Sequence, residues 1–357
     1  MPYLRGFQGV APLGQYSLRG FQGVAPLGQY SLRGFQGVAP PEPAQSGSLL
    51  RMTSDLADLA EPPAWFTQAL AAPVVHCTVS VAGTEIAYRQ FGPDRGSGPT
   101  GSSGIVLVHG GAAHARWWDH IAPLLATGRG VVAMDLSGHG DSGRNEKYTL
   151  DGWAAEVMAV AADAGFTDPP VIVGHSMGGF VALRAAGLYG TELTGIVVID
   201  SPVQDLTPEQ QAAREGRAFG PLRVYPSREA AIARFRPMPD QPTLPYIRTH
   251  IAATSIRAVD GGWTWKFDPA VFGRSAATPA LLRHLDCRVA LFHAEHGIVP
   301  PQTTELMYDK LGQLAPVIEI PAAGHHVMLD QPIALVTGIR TLLSDWDHSL
   351  PAHPALR

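Results

Sequence analysis

The sequence predicts an α/β protein in which a mostly parallel sheet carries helices on both faces. Three observations lead there. Short, uninterrupted apolar runs recur along the chain, as expected of parallel strands covered on both sides. Segments with helical spacing of apolar residues separate them. The two kinds of segment alternate, and alternation is what winds a chain through strand and helix in turn.

The first 51 residues stand apart. LRGFQGVAPLGQYS fills 4–17, recurs at 18–31, and a third copy breaks off at Pro40. The period matches no solenoid unit, Gly and Pro are dense, and neither helical nor strand periodicity is present, so a disordered extension is expected over 1–51. From Met52, Thr53 or Ser54 offers a helix N-cap. VVHCTVSV (74–81) and TEIAYRQF (84–91) alternate around Ala82-Gly83, a hairpin signal. A glycine-rich loop covers 92–104. Buried strands are expected in GIVLVHG (104–110), GVVAMDL (130–136), PVIVGHS (170–176), GIVVIDS (195–201), CRVALFH (287–293) and APVIEI (315–320). Helices are expected over 150–165, where Trp153, Val157, Val160 and Ala161 share a face, and over 177–190 and 334–346. Residues 202–285, with RFRPMPDQP and GGWTWKFDP, are too long for a strand-to-helix connection. They read as a mainly helical cap, inserted between a first core segment, 52–201, and a second, 286–357.

Bulk properties narrow the function. With 45% hydrophobic and 16% charged residues the chain is globular, and a net charge of −5 gives no footprint for nucleic acid or an anionic membrane. No apolar stretch is long enough to span a bilayer, and the N-terminus lacks the apolar core of a signal peptide. Cys77 and Cys287 form no framework and read as buried thiols of a cytoplasmic protein. No CxxC or HExxH motif suggests a metal.

Four motifs carry chemistry. Gly174-His175-Ser176-Met177-Gly178 fits G-x-S-x-G between a strand and a helix, where a strained turn exposes a serine and the helix N-terminus favours negative charge. In VLVHGGAAHARWWDH the N–H of Gly111 (or of Ala112) is placed to pair with that of Met177 as an oxyanion hole. Trp117 and Trp118 begin a helix there, at least one of them as core packing; Trp118, His175 and Trp263 are the residues expected to face substrate. DLSGHGDSG (135–143) places Asp141 and His139 together, and reads as a structural turn in which Asp141 bonds backbone amides locally. Gly324-His325-His326 precedes the last helix. Histidine's ordinary pKa, near 6.5, suits a general base at neutral pH. His325 is the expected base and His326 its rival.

Taken together, G-H-S-M-G-G, H-G-G, D-L-S-G-H-G-D-S-G and G-H-H-x-M-L-D-Q-P resemble the α/β-hydrolase superfamily, in its serine esterase and enol-lactonase-like branch. The resemblance covers about 74–346, excepting the insertion. It implies an eight-stranded sheet, a serine nucleophile after the fifth strand, a cap after the sixth and a histidine after the last. It also implies an aspartate in the turn after the seventh, in a pattern like G-E-x-D-x-x-x-P. This sequence has Ala294-Glu295-His296-Gly297 there and reaches Pro300 one residue early. Two carboxylates could substitute: Asp200, at the end of VVID, is the expected acid, and Glu295, in the altered turn itself, is the alternative. The chemistry expected is acyl transfer to water through a Ser176 acyl-enzyme, with no metal or cofactor, on a small-molecule ester. The same residues would serve an enol-lactone or C–C bond hydrolase, and the altered acid motif keeps open a low-turnover binding protein. Arg234 and Arg236 beside Phe235, and Trp265 and Lys266 near Trp263, suggest an aromatic or carboxylate-bearing ester.

Overall fold

The structure, a computed structural model, describes residues 61–92, 103–204, 221–272 and 278–349. The expectations for the repeat at 1–51, the caps at Thr53 and Ser54 and most of the glycine-rich loop at 92–104 lie outside the described residues.

Eight strands form one sheet: β1 (Val75–Val81), β2 (Thr84–Phe91), β3 (Ile105–Val108), β4 (Val131–Met134), β5 (Val171–His175), β6 (Gly195–Ile199), then β9 (Arg288–His296) and β10 (Val317–Gly324). Their order is β1-β2-β4-β3-β5-β6-β9-β10. Only β1–β2 and β2–β4 pair antiparallel. The β1–β2 turn is tight because Ala82 and Gly83 both take positive φ, 49° and 85°, as a two-residue hairpin loop requires.

Alternation along the inner strands explains why they read as continuous apolar runs. Ile105 and Leu107 of β3, Val131 and Ala133 of β4 and Val197 and Ile199 of β6 face one core. Val106 and Val108, Val132 and Met134, and Ile196 and Val198 face the other. Helices α3 (Leu150–Asp163) and α4 (Met177–Tyr189) cover this second face. The first is covered by α9 (Pro332–His348), through Leu335, Ile339 and Leu343, with α1 (Ala64–Leu70) and the short α2 (Ala122–Leu125) at its edge.

The expected cap follows β6 in the chain. Its described part holds two helices, α5 (Arg228–Ile232) and α6 (Pro245–Thr254), and also an antiparallel pair, β7 (Ile256–Val259) with β8 (Gly262–Trp265). The pair forms because Trp263-Thr264-Trp265 has strand periodicity, and Gly261, at φ 83°, makes the turn. The cap's exit docks on the 135–143 loop. Gly140 N–H donates to Lys266 O at 2.7 Å, Asp268 N–H donates to Gly138 O at 2.7 Å, and Lys266 Nζ pairs with Asp141 at 2.6 Å. Asp141 thus holds the cap, and the local amides go to Asp135 instead, which accepts from Ala115 and Asp141 N–H at 2.6 and 2.8 Å. Helix α7 (Pro301–Lys310) follows β9, and α8 (Val327–Asp330) lies between β10 and α9.

Candidate active site

Ser176 sits where β5 turns into α4, with φ 52° and ψ −115°, a strained conformation for a residue with a side chain. Three glycines make the turn possible. A Cβ on Gly174 would lie 2.2 Å from Gly178 O, one on Gly178 would lie 2.4 Å from Val108 O, and one on Gly179 would lie 2.0 Å from Ser201 Oγ. The helix therefore packs backbone to backbone against the end of β3, which carries His109-Gly110-Gly111. The Ser176 N–H is spent on Ile199 O at 2.9 Å. Met177 is the first helical residue, so its N–H has no acceptor within the helix.

Across the sheet's C-terminal edge, His325 reaches the serine. Its Nδ1–H donates to Asp200 Oδ2 at 2.7 Å, and the Ser176 hydroxyl donates to its Nε2 at 3.1 Å. The carboxylate can only accept, so it fixes the proton on Nδ1 and leaves the Nε2 lone pair facing the serine. Asp200 ends β6 at φ 44° and its side chain is fully buried. Oδ2 also accepts from Ile298 N–H at 2.9 Å.

Gly297 explains the altered turn. A Cβ there would stand 2.3 to 2.6 Å from the carboxylate atoms of Asp200. The Asp200 carboxylate occupies the volume that any side chain at 297 would enter. Glu295 is engaged elsewhere. Strand β9 runs on to His296, beyond the strand expected from sequence. Glu295 is therefore an exposed strand residue whose Oε2 accepts from Ala322 N–H at 2.7 Å, filling the irregularity in β10 between Ile320 and Gly324.

Gly110 and Gly111 lie against the serine's turn: added Cβ atoms would be 3.3 Å from Ser176 Cβ and 3.8 Å from Met177 Sδ respectively. His109 braces this loop, with Nδ1–H to Gly110 O at 2.7 Å and Leu136 N–H to its Nε2 at 3.1 Å. Burial pushes its pKa down to about 4, against the Gly110 hydrogen bond that raises it, so the ring is a neutral strut.

Two expected substrate contacts are corrected, those of Trp118 and His175. Trp118 is wholly buried in the first core and presents no surface to a ligand. His175 is 1% exposed and its Nε2 donates to His325 O at 2.8 Å, so it buttresses the loop that carries His325. Trp263 is bridged through its backbone to Tyr225. Ring contacts between cap and core run through Trp265, Phe235 and Trp117, each pair 6.2 Å apart, and through Tyr246 and Phe66 at 4.8 Å. Arg234 and Arg236 are exposed, and Lys266 is paired with Asp141.

One positioning group was missed. Gln241 of the cap accepts from His326 N–H at 2.8 Å and donates to Asp330 Oδ2 at 2.7 Å, and Asp330 Oδ2 also accepts from Gly324 N–H at 2.7 Å. The loop holding His325 is clamped on both flanks. The Asp-Gln-Pro after the histidines was a signal for Asp330; a lone cap glutamine in a proline-rich stretch gave none for Gln241.

Residues 105–338 match the sequence profile of the alpha/beta hydrolase family. The chain belongs to the alpha/beta hydrolase family. Among curated relatives, it is 26% identical over 251 residues to an esterase of Mycobacterium tuberculosis, spanning 67% of this chain and 82% of that protein. It is 25% identical over 287 residues to 2-hydroxy-6-oxo-6-(2'-aminophenyl)hexa-2,4-dienoic acid hydrolase of Metapseudomonas resinovorans, spanning 74% of this chain and 90% of that one. Among solved structures, E-2-(acetamidomethylene)succinate hydrolase superposes with a TM-score of 0.64 over 76% of this chain and 100% of its own, at 19% identity, a likeness of fold. This alpha/beta hydrolase thus has esterases and a C–C bond hydrolase among its relatives, and among the described residues no helix is long and apolar enough to cross a membrane.

Proposed function

We propose that this alpha/beta hydrolase is a carboxylic ester hydrolase that works through Ser176, His325 and Asp200. The observation that carries the reading is the continuous hydrogen-bonded chain from Ser176 Oγ through His325 to Asp200 Oδ2, at 3.1 and 2.7 Å. His325 Nε2 takes the hydroxyl proton as Ser176 Oγ attacks the ester carbonyl. Asp200 stabilises the imidazolium that forms. The N–H groups of Met177 and Gly111 receive the oxyanion. Proton return from His325 releases the alcohol and leaves an acyl-enzyme, which water cleaves by the same route reversed.

Phe272 supports a small, aromatic ester, since its ring lies against Gly111, 2.8 Å from where a Cβ there would stand. The relationship to the Metapseudomonas enzyme supports a second reading, a C–C bond or enol-lactone hydrolase using the same three residues. We assign the protein to the cytoplasm, consistent with Cys77 and Cys287 not being joined in a disulfide.

The test is turnover of short p-nitrophenyl esters beside turnover of a vinylogous diketone ring-cleavage product, by the unmodified protein and by Ser176→Ala. Ester turnover that Ser176→Ala abolishes supports the esterase. Preference for the diketone, equally serine-dependent, moves the assignment to the second reading. No turnover of either, with Ser176 inert to an organophosphonate, points to a binding protein on this fold.

A further inference from the structure

We infer that His175, His325 and His326 form an inhibitory site for a zinc-like divalent cation. The three are far apart or merely adjacent in sequence, yet each can present one ring nitrogen so that all three lie within 4.8 Å of one another. Their rings form a triangle with centroids 4.7, 4.7 and 5.5 Å apart.

Hydrogen bonding determines which nitrogens are available. A ligating histidine characteristically gives its other ring N–H to a carboxylate or a backbone carbonyl, which fixes the tautomer. His325 does this with Asp200 Oδ2, and His175 does it with the His325 carbonyl. Both acceptors lack a proton, so the lone pairs are on His325 Nε2 and His175 Nδ1. His175 Nδ1 is buried without a hydrogen-bond partner. His326 is 6% exposed, and neither of its ring nitrogens makes a hydrogen bond of good geometry; the Met238 backbone lends it weak polar support. Buried imidazoles with unused lone pairs are costly unless something satisfies them. Asp200 adds a fixed negative charge beside the cluster, and its Oδ1 is also without a partner.

Imidazole sets of this kind suit Zn²⁺, Cu²⁺ and Ni²⁺ and not Mg²⁺ or Ca²⁺. Tetrahedral zinc at about 2.0–2.1 Å from nitrogen sets its ligands about 3.4 Å apart. Bringing ligand atoms that lie within 4.8 Å of one another to that spacing asks for at most about 1.4 Å of movement. The cation would take the His325 Nε2 lone pair that otherwise accepts the Ser176 hydroxyl. Binding and base function are therefore mutually exclusive. This inhibitory consequence rests on the proposed role of His325; the binding itself does not.

The test uses the full chain, ZnCl₂ in a buffer without chelating components, and three readouts: calorimetry, the visible absorption of Co²⁺ as a zinc substitute, and hydrolysis of a short p-nitrophenyl ester. The variant is His326→Phe, which keeps a ring and removes both nitrogens, with His326→Gln as the alternative if circular dichroism shows the first misfolded. The expected result is one zinc per chain, inhibition reversed by EDTA, and affinity lowered roughly tenfold or more in the variant. No binding at millimolar zinc, or binding equal in the variant, would overturn the site. Binding lost in the variant while zinc leaves the unmodified enzyme's turnover intact would uphold the site and overturn the role of His325 as base.

Discussion

Replacing Asp200 by Asn keeps the shape of the side chain and removes its charge. In the proposed mechanism a cationic His325 forms 2.7 Å from that carboxylate. With charge centres about 4 Å apart and an effective dielectric of about 20, the attraction is about 4 kcal/mol. Each 1.36 kcal/mol is a decade in rate, so the lost attraction alone costs about a thousandfold. The amide can also donate to Nδ1, which turns the wrong tautomer toward Ser176; loss of that control in a triad costs about 10⁴. The expected fall in kcat is therefore between about 10³ and 10⁴, with KM little changed. Glu295→Gln is the paired control. It is exposed and bonded to the Ala322 N–H, a bond glutamine can also make, so kcat should stay within about threefold of the unmodified protein. A third variant uses the shared volume at Gly297: Asp200→Gly with Gly297→Asp should recover part of the activity lost in Asp200→Gly alone. The assay is steady-state hydrolysis of a short p-nitrophenyl ester, after thermal melts confirm folding. Asp200→Asn retaining a tenth or more of kcat, or Glu295→Gln falling as far as Asp200→Asn, would show that Asp200 is not the acid.

Three further predictions concern stability and positioning. Burial lowers the pKa of His109 and His120 to about 4 and of His326 to about 3, and holds His114, His139 and His175 well below 6.5. Burial raises Asp135, Glu156 and Asp330 to about 6. Between pH 6 and 5 the unfolded chain thus holds six histidine protons that the fold refuses, and the fold holds three carboxyl protons that the unfolded chain has released. The histidine protons outnumber the carboxyl protons, so stability falls as pH drops through this range; a urea midpoint at pH 5 equal to or above that at pH 7 would contradict it. Gly178→Ala drives a methyl group to within 2.4 Å of Val108 O and should lower stability by about 1–3 kcal/mol while cutting kcat, read by thermal melts and kinetics. Gln241→Ala strands the His326 N–H and should cost about 1–3 kcal/mol, with kcat falling more than KM rises; unchanged kcat would separate the cap from the base.

What the sequence made legible follows from how local each signal is. β3, β5 and β6 were readable because burial on both faces makes every residue apolar, and the serine turn because its glycines are dictated by backbone contact within a few residues. The position of His325 was readable from its glycine and the helix after it. The acid was only partly readable. Asp200 could be named from its strand end, but its rank over Glu295 depends on Gly297 and Asp200 sharing one volume, a contact across 97 residues of chain. Trp118 was misread because a tryptophan after a glycine loop resembles a ligand contact until its burial is known. The β7–β8 hairpin was hidden because proline-rich neighbours broke the periodicity around a strand of four residues. Gln241 is a single polar residue whose meaning comes wholly from the loop it reaches.

In the proposed mechanism Ser176 carries the acyl group. Mixing the protein with a short p-nitrophenyl ester, quenching within the first turnover and mapping the modified peptide by mass tests it most directly. The expected result is a burst of about one p-nitrophenol per chain, with the acyl group on Ser176 and none formed in Ser176→Ala. Turnover without a burst, unchanged in Ser176→Ala, or an acyl group on another residue, would contradict it.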